Sequence, residues 1–366
     1  MMVRLIFTTT AGFASFAFFF CVAGPCAGCG GEQPHAKALN HGDVTSHDLY
    51  EVPSGDVAEL LVFIKDMQAL RGRVPKEEYE TKAFSAMKVA AERIQGIAKD
   101  DDRRLVGFDE ATAIWLYFRV TESGDNPKLT DHAPLTRNQR AKLVADIKAY
   151  FAATDNPSTY AVVAAEHLPD QLEDAGRIRL AKEAYRDIGT SLTKNKNRII
   201  SRLGAKMEGA VRRLELPGNP LQLSGTTFAG AKFDWTKYRG KVVLVDVWAT
   251  WCKACLEELP NLKHNFVIYH NRGFEVVSVN VDSDRAPLEK FLAAEELPWV
   301  TLYDGASDDN PLTKYYGITR LPTAILVDGE GKVVTTDARG TELGKQLEML
   351  IGTAPPEQRE SRDKRR

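Results

Sequence analysis

At 366 residues the chain is long enough for two domains with separate cores. Hydrophobic residues make up 43% and charged residues 27%, which describes a globular protein and excludes a disordered or largely membrane-embedded one. The formal net charge of −2 provides no global field that would draw the chain to nucleic acid.

Arg4, followed by an uncharged run over 5–23 that includes Phe16, Phe18, Phe19 and Phe20, reads as an export signal. The segment Cys26-Ala27-Gly28-Cys29-Gly30 resembles a bacterial lipoprotein cleavage box, which makes Cys29 the candidate lipid acceptor of a leader spanning 1–29. Cys26 stands where leucine is usual in that box. Simple cleavage and retention as an uncleaved anchor also stay open. Each outcome places the protein outside the cytoplasm, periplasmic or membrane-anchored. Residues 30–53 are polar and read as a flexible linker. Its His35, His41 and His47 lie six apart, but nothing holds the three rings together, so no metal site is expected.

Residues 54–213 read as an all-helical domain without a legible role. Ser54 is the expected cap of a helix carrying Val57, Leu60, Leu61, Ile64, Met67 and Leu70 at helical intervals. Similar patterns run over 79–97, 110–120, 138–153, 158–172, 178–192 and 198–214. Pro75, Asp109, Pro134, Pro157, Gly176 and Asn195 with Asn197 punctuate them. Gly176, Ala181 and Tyr185 have tetratricopeptide-like spacing, but one degenerate repeat leaves an irregular bundle as the better description.

At Pro217-Gly218 the pattern changes. Strands are expected over 242–247, 274–281, 299–303, 324–327 and 333–336, with helices from Cys252, near 287–294 and over 343–351. This alternation makes 217–352 an α/β domain. The proline-rich, charged tail 353–366 is expected to be disordered.

The five cysteines fall into two groups, Cys21, Cys26 and Cys29 at the N-terminus and Cys252 with Cys255 far downstream. A disulfide-stapled secreted fold would spread its cysteines through its loops, and structural zinc needs about four ligands. The Cys252-Lys253-Ala254-Cys255 pair therefore reads as redox-active. It follows an apolar strand and opens a helix, where unsatisfied N–H groups and the positive end of the macrodipole favour a thiolate. Cys255 lies one turn on, within reach of a disulfide. Cys252 is expected to be the exposed nucleophile and Cys255 the shielded resolving thiol.

With these residues in view, 217–352 resembles the thioredoxin superfamily, specifically its extracytoplasmic TlpA/ResA-type branch. Trp248-Ala249-Thr250-Trp251-Cys252 matches the branch's active-site lead-in, and Pro260 matches the proline that kinks the helix. Gly317-Ile318-Thr319-Arg320-Leu321-Pro322-Thr323 is similar to the cis-proline loop. The resemblance implies that Trp251, Leu321, Pro322 and Gly340 form the substrate-binding surface, with the Leu321 backbone free to pair with an extended chain. The long stretch 281–316 and a hairpin-like opening over 221–233 fit the same branch, the former through an inserted helix and strand. The implied fold is a thioredoxin α/β fold preceded by the all-α domain.

Asp246 matches the buried proton-transfer carboxylate of thioredoxin, whose lysine partner is replaced here by Ser278. Burial should raise its pKa and let it accept a proton from Cys255; the alternative is a structural aspartate satisfied by neighbours such as Ser278. Lys253-Ala254 departs from the Gly-Pro or x-Pro dipeptide usual in the family. Lys253 should make the couple slightly more oxidising, whereas the branch resemblance implies a reductase. The expected partners are thiols and disulfides of exported proteins, apocytochrome c among them, and a membrane or periplasmic electron donor. No cofactor is called for. Two competing readings are a peroxiredoxin-like peroxidase, in which Trp251 would occupy an unsuitable place, and a non-catalytic helical binding module carrying a vestigial thioredoxin domain.

Overall fold

The computed structural model describes residues 49–123, 133–306 and 310–353. The expected leader with Cys29, the histidine tract and most of the charged tail lie outside these residues. The described residues form one compact unit.

Helix α1 (Val57–Ala69) buries Val57, Leu60, Leu61, Ile64 and Met67. Its cap is Asp56, not Ser54: the Asp56 carboxylate accepts the Glu59 N–H three residues on, the reach a capping side chain requires. The expected helix over 79–97 is modified at its start, where α2 (Lys76–Glu78) passes through a π-helical turn (Tyr79–Ala83) into α3 (Phe84–Ile97). Then come α4 (Phe108–Thr121), α5 (Arg137–Ala153), α6 (Thr159–Asp174), α7 (Ile178–Leu192) and α8 (Arg198–Leu214). Asp109 lies in the first turn of α4, and the break before it falls at Gly107, whose φ of +96° suits a residue without Cβ. One core joins α1, α3 and α4 through Leu60, Met87, Ile94 and Ile114. A second joins α4 to α8 through Leu116, Ile147, Leu168, Ile188 and Met207.

Beyond Leu216 lies a five-stranded sheet of order β3-β2-β1-β4-β5. The strands are β1 (Val242–Trp248), β2 (Phe274–Asn280), β3 (Val300–Tyr303), β4 (Thr323–Val327) and β5 (Val333–Thr335). The β1, β2 and β3 strands run parallel, and β4 is antiparallel to both β1 and β5. Every residue of β1 is buried, as expected of a central strand covered on both faces. Val243, Val245 and Val247 pack in one core with Val277, Leu302 and both cysteines. Val242 and Leu244 pack on the other face with Leu262, Phe266 and Leu347. The covering helices are α9 (Lys253–Tyr269), α10 (Arg285–Glu295), α11 (Pro311–Tyr316) and α12 (Gly340–Ile351). The inserted helix and strand expected over 281–316 are α10 and β3. The expected hairpin over 221–233 is a turn closed by the Thr226–Lys232 bridge.

Candidate active site

The site forms where β1 passes into α9. Cys252 is the N-cap of α9, and its Sγ accepts the Cys255 N–H at 3.2 Å. The two sulfurs are bonded at 2.03 Å, with Cα atoms 5.3 Å apart. Both cysteines are 7% exposed. Cys252 is thus no more open to solvent than Cys255 in this oxidised form, a correction to the expected asymmetry, because the bonded sulfurs cover each other within one core. Trp251, at 70% exposed, is the apolar side chain beside them that meets solvent. Lys253 projects into water and pairs loosely with Glu257 at 3.5 Å, so solvent screens its charge.

The turn before Cys252 is tied down from behind. Asp282, buried after β2, accepts the Thr250 N–H at 3.0 Å and the Thr250 hydroxyl at 3.1 Å. Asn280 locks that carboxylate, donating from Nδ2 and accepting the Asp282 N–H.

The Leu321-Pro322 peptide is cis. Leu321 is half-buried and packs against the core that contains both cysteines. Gly340, whose φ is +53°, opens α12, and its N–H donates to Glu258 Oε1 at 2.7 Å. Asn261 ties the same residues, donating to Glu258 and to the Gly340 carbonyl.

Asp246 is buried and 9% exposed, and strand alternation places it on the β1 face that α9 covers. Burial, reinforced by the negative charge of Glu258 on α9, pushes its pKa from 3.8 up to about 7. Ser278 stands beside Asp246 in the β1–β2 register, and its hydroxyl accepts the Trp299 indole N–H at 2.7 Å. Glu258, Asp282 and Asn280 escaped the sequence analysis. Glu258 could have been found from its place one turn beyond Cys255, on the cysteine's side of α9. Among the described residues no group of three His, Cys, Asp or Glu side chains could hold a metal ion, and no helix is long and apolar enough to cross a membrane.

A family model described as Redoxin matches residues 216–346. Residues 216–346 thus match a redoxin domain and are similar to the TlpA/ResA-type branch of the thioredoxin superfamily. The chain is similar to the thiol-disulfide oxidoreductase ResA of Geobacillus thermodenitrificans, 43% identical over 56 residues, 15% of this chain and 32% of the relative. It is also similar to ResA of Bacillus thuringiensis, 28% identical over 131 residues, 36% of this chain and 73% of that protein. The chain thus spans about a third of the first of these relatives and nearly three quarters of the second. Among solved structures, the thioredoxin domain of a Bacteroides vulgatus thiol-disulfide oxidoreductase is 27% identical, with a TM-score of 0.35, over 37% of this chain and 97% of that one. A thiol:disulfide interchange protein from a Bacteroides species is 27% identical, with a TM-score of 0.35, over 38% and 93%. The redoxin assignment rests on the family match, the sheet order and the active-site residues.

Proposed function

We propose that the chain is a thiol–disulfide oxidoreductase that exchanges disulfides with exported proteins through Cys252 and Cys255 and works as a reductase. The observation that carries this reading is the closed Cys252–Cys255 disulfide at the start of α9. In the reduced protein the Cys252 thiolate attacks a substrate disulfide, forming a mixed disulfide and releasing one substrate sulfur, which takes up a proton. Cys255 then attacks Cys252 Sγ and releases the second substrate thiol. Two electrons pass to the substrate, and the enzyme is left as the disulfide. A dithiol donor outside the cytoplasm restores it.

Asp246 takes the Cys255 proton in this scheme, a role supported by its buried place under α9 and a pKa raised to about 7. Leu321, Pro322, Trp251 and Gly340 receive the substrate chain, which pairs with the free Leu321 backbone. Export rests on the apolar N-terminal run, with Cys29 as the lipidation candidate. The helical residues 54–213 and the redoxin residues 217–352 are read as two domains.

Turnover of insulin disulfides tests the reading. The reduced wild type should reduce insulin catalytically, and Cys252→Ser should not. Peroxide consumption without insulin reduction would replace the oxidoreductase with a peroxidase. Inertness in both assays would favour a binding module. Partners captured by Cys255→Ala would identify the substrate.

A further inference from the structure

The helical layer meets the redoxin domain at the loop that ends in the cis peptide. Gly317, the left-handed C-cap of α11, lies directly on the backbone of α8. A Cβ at Gly209 would stand 2.4 Å from the Gly317 nitrogen, and one at Gly317 would stand 2.2 Å from the Lys206 carbonyl oxygen. Only glycine permits so close an approach. Beside this contact the Arg212 guanidinium donates to the Tyr315 carbonyl at 2.7 Å and covers the Tyr315 ring.

Three residues further on, Arg320 reaches back to α6. Its guanidinium pairs with Asp170 at 3.1 Å and donates to Asp174. Asp170 also accepts from Tyr185 of α7, whose hydroxyl bonds Glu173 at 3.1 Å, and Arg213 of α8 grips Glu173 with two hydrogen bonds of 2.7 and 2.9 Å. Of the two carboxylates that pair with Arg320, Asp170 is also held by Tyr185, within a network that ties α6 to α7 and α8. Burial alone would raise the pKa of Glu173, but the Arg213 hydrogen bonds and the charges of Arg213 and Arg320 override it and hold this carboxyl below its ordinary range. Burial likewise works against the charge of Arg320, and the Asp170 and Asp174 carboxylates outweigh it.

We infer that Arg320 is a positioning residue: by anchoring residues 317–322 to α6, the helical domain sets the pose of the Leu321 backbone that receives a protein substrate. This rests on the oxidoreductase reading above and gives the helical domain a role in it. An arginine one residue before Leu321 has two carboxylates on a different layer as its partners, while Gly209 and Gly317 fix the other end of the loop. The loop is thus held at both ends by helices the sulfur chemistry does not use. The inference separates substrates by size, because a small aromatic disulfide can meet Cys252 without pairing to the loop and a protein strand cannot.

The test compares wild type, Arg320→Ala and Asp170→Asn/Asp174→Asn, all as full chains, with insulin and a small aromatic disulfide. Both variants should raise the KM for insulin about threefold to tenfold, the range two half-exposed ion pairs can supply, with kcat and the small-disulfide rate unchanged. Salt should raise the wild-type KM towards the variants' value and leave theirs unmoved. A rise in Arg320→Ala without one in the double variant would overturn the inference, because Arg320 would then be touching substrate itself. An unchanged KM in both would overturn it as well. Amide hydrogen exchange reads the anchor without any turnover: the Ile318 amide, hydrogen-bonded to the Thr313 carbonyl, should exchange faster in both variants, and unchanged exchange would refute the anchor. A wild type that reduced neither disulfide would sink the oxidoreductase reading alone, leaving exchange to decide the anchor.

Discussion

Replacing Asp246 with asparagine should abolish a specific dependence of stability on pH. The Asp246 carboxyl titrates at about 7 in the fold against 3.8 for a free one. At about 1.4 kcal/mol per pH unit, the ionised form is disfavoured by roughly 4 kcal/mol. The native state binds this proton more tightly than the unfolded chain does. Stability is therefore full below about pH 4, falls as pH rises to about 7, and is flat above that, where both states are ionised. Asp246→Asn has no such proton and should lie above wild type by roughly 3–4 kcal/mol at pH 8. The assay is urea denaturation between pH 4 and 8 on the oxidised protein, in which Cys252 and Cys255 are bonded and do not titrate. Subtracting the two curves removes every other group. Glu258→Gln is the control: burial outranks Glu258 as the cause of the shift, so the decline should end at a lower pH without disappearing. In turnover, the asparagine variant should resolve mixed disulfides slowly, whereas the wild type should gain rate as pH passes 7. Parallel stability curves with equal rates would refute the reasoning and make Asp246 a structural residue.

The remaining expectations concern the sulfurs and the join between the layers. Cys252→Ser should lose activity, whereas Cys255→Ser should accumulate mixed disulfides on gels run without reductant; faster alkylation of Cys255 than of Cys252 in the reduced protein would reverse the assignment. Gly209→Ala, whose methyl would collide with the Gly317 backbone, should cost about 1–3 kcal/mol in urea denaturation, and a neutral effect would mean that the helices separate easily there. A fragment beginning near residue 212 should fold and reduce the small disulfide at the wild-type rate while showing the raised insulin KM of Arg320→Ala; an insoluble fragment would mean that the helices complete the redoxin core.

The features of the fold legible in the sequence are those governed by local pattern. β1 announced itself as an unbroken apolar run because a central strand is buried on both faces. The helices of 54–213 followed from their periodicity, and their ends shifted where a nearby residue made the better cap, as Asp56 does for α1. Helix α11 was missed because six residues are too few for a periodic signal, although Asn310-Pro311 spells a cap followed by a favoured first-turn proline. The cysteine pair was legible because strand, tryptophans and helix start are contiguous. Asp282 and Arg320 were not, since each acquires its role from a partner far along the chain: Thr250 and Asp174. Polar residues of this kind look like ordinary surface or loop positions until the fold closes. The shielding of Cys252 was invisible for a related reason, as it depends on the sulfur it is bonded to.

On the proposed oxidoreductase reading, the Asp282–Thr250 tie has a consequence for each catalytic cycle. Reduction must separate the bonded sulfurs and oxidation must rejoin them. Thr250 is pinned through both its amide and its hydroxyl, and the pinning carboxylate is itself locked by Asn280. The segment leading into the cysteines is therefore expected to keep its place while the bond opens and closes. Motion is left to the Cys252 side chain and the first turn of α9, a few atoms swinging on a fixed pivot. On that reading, a site built this way would pass between its two states without rearranging its sheet.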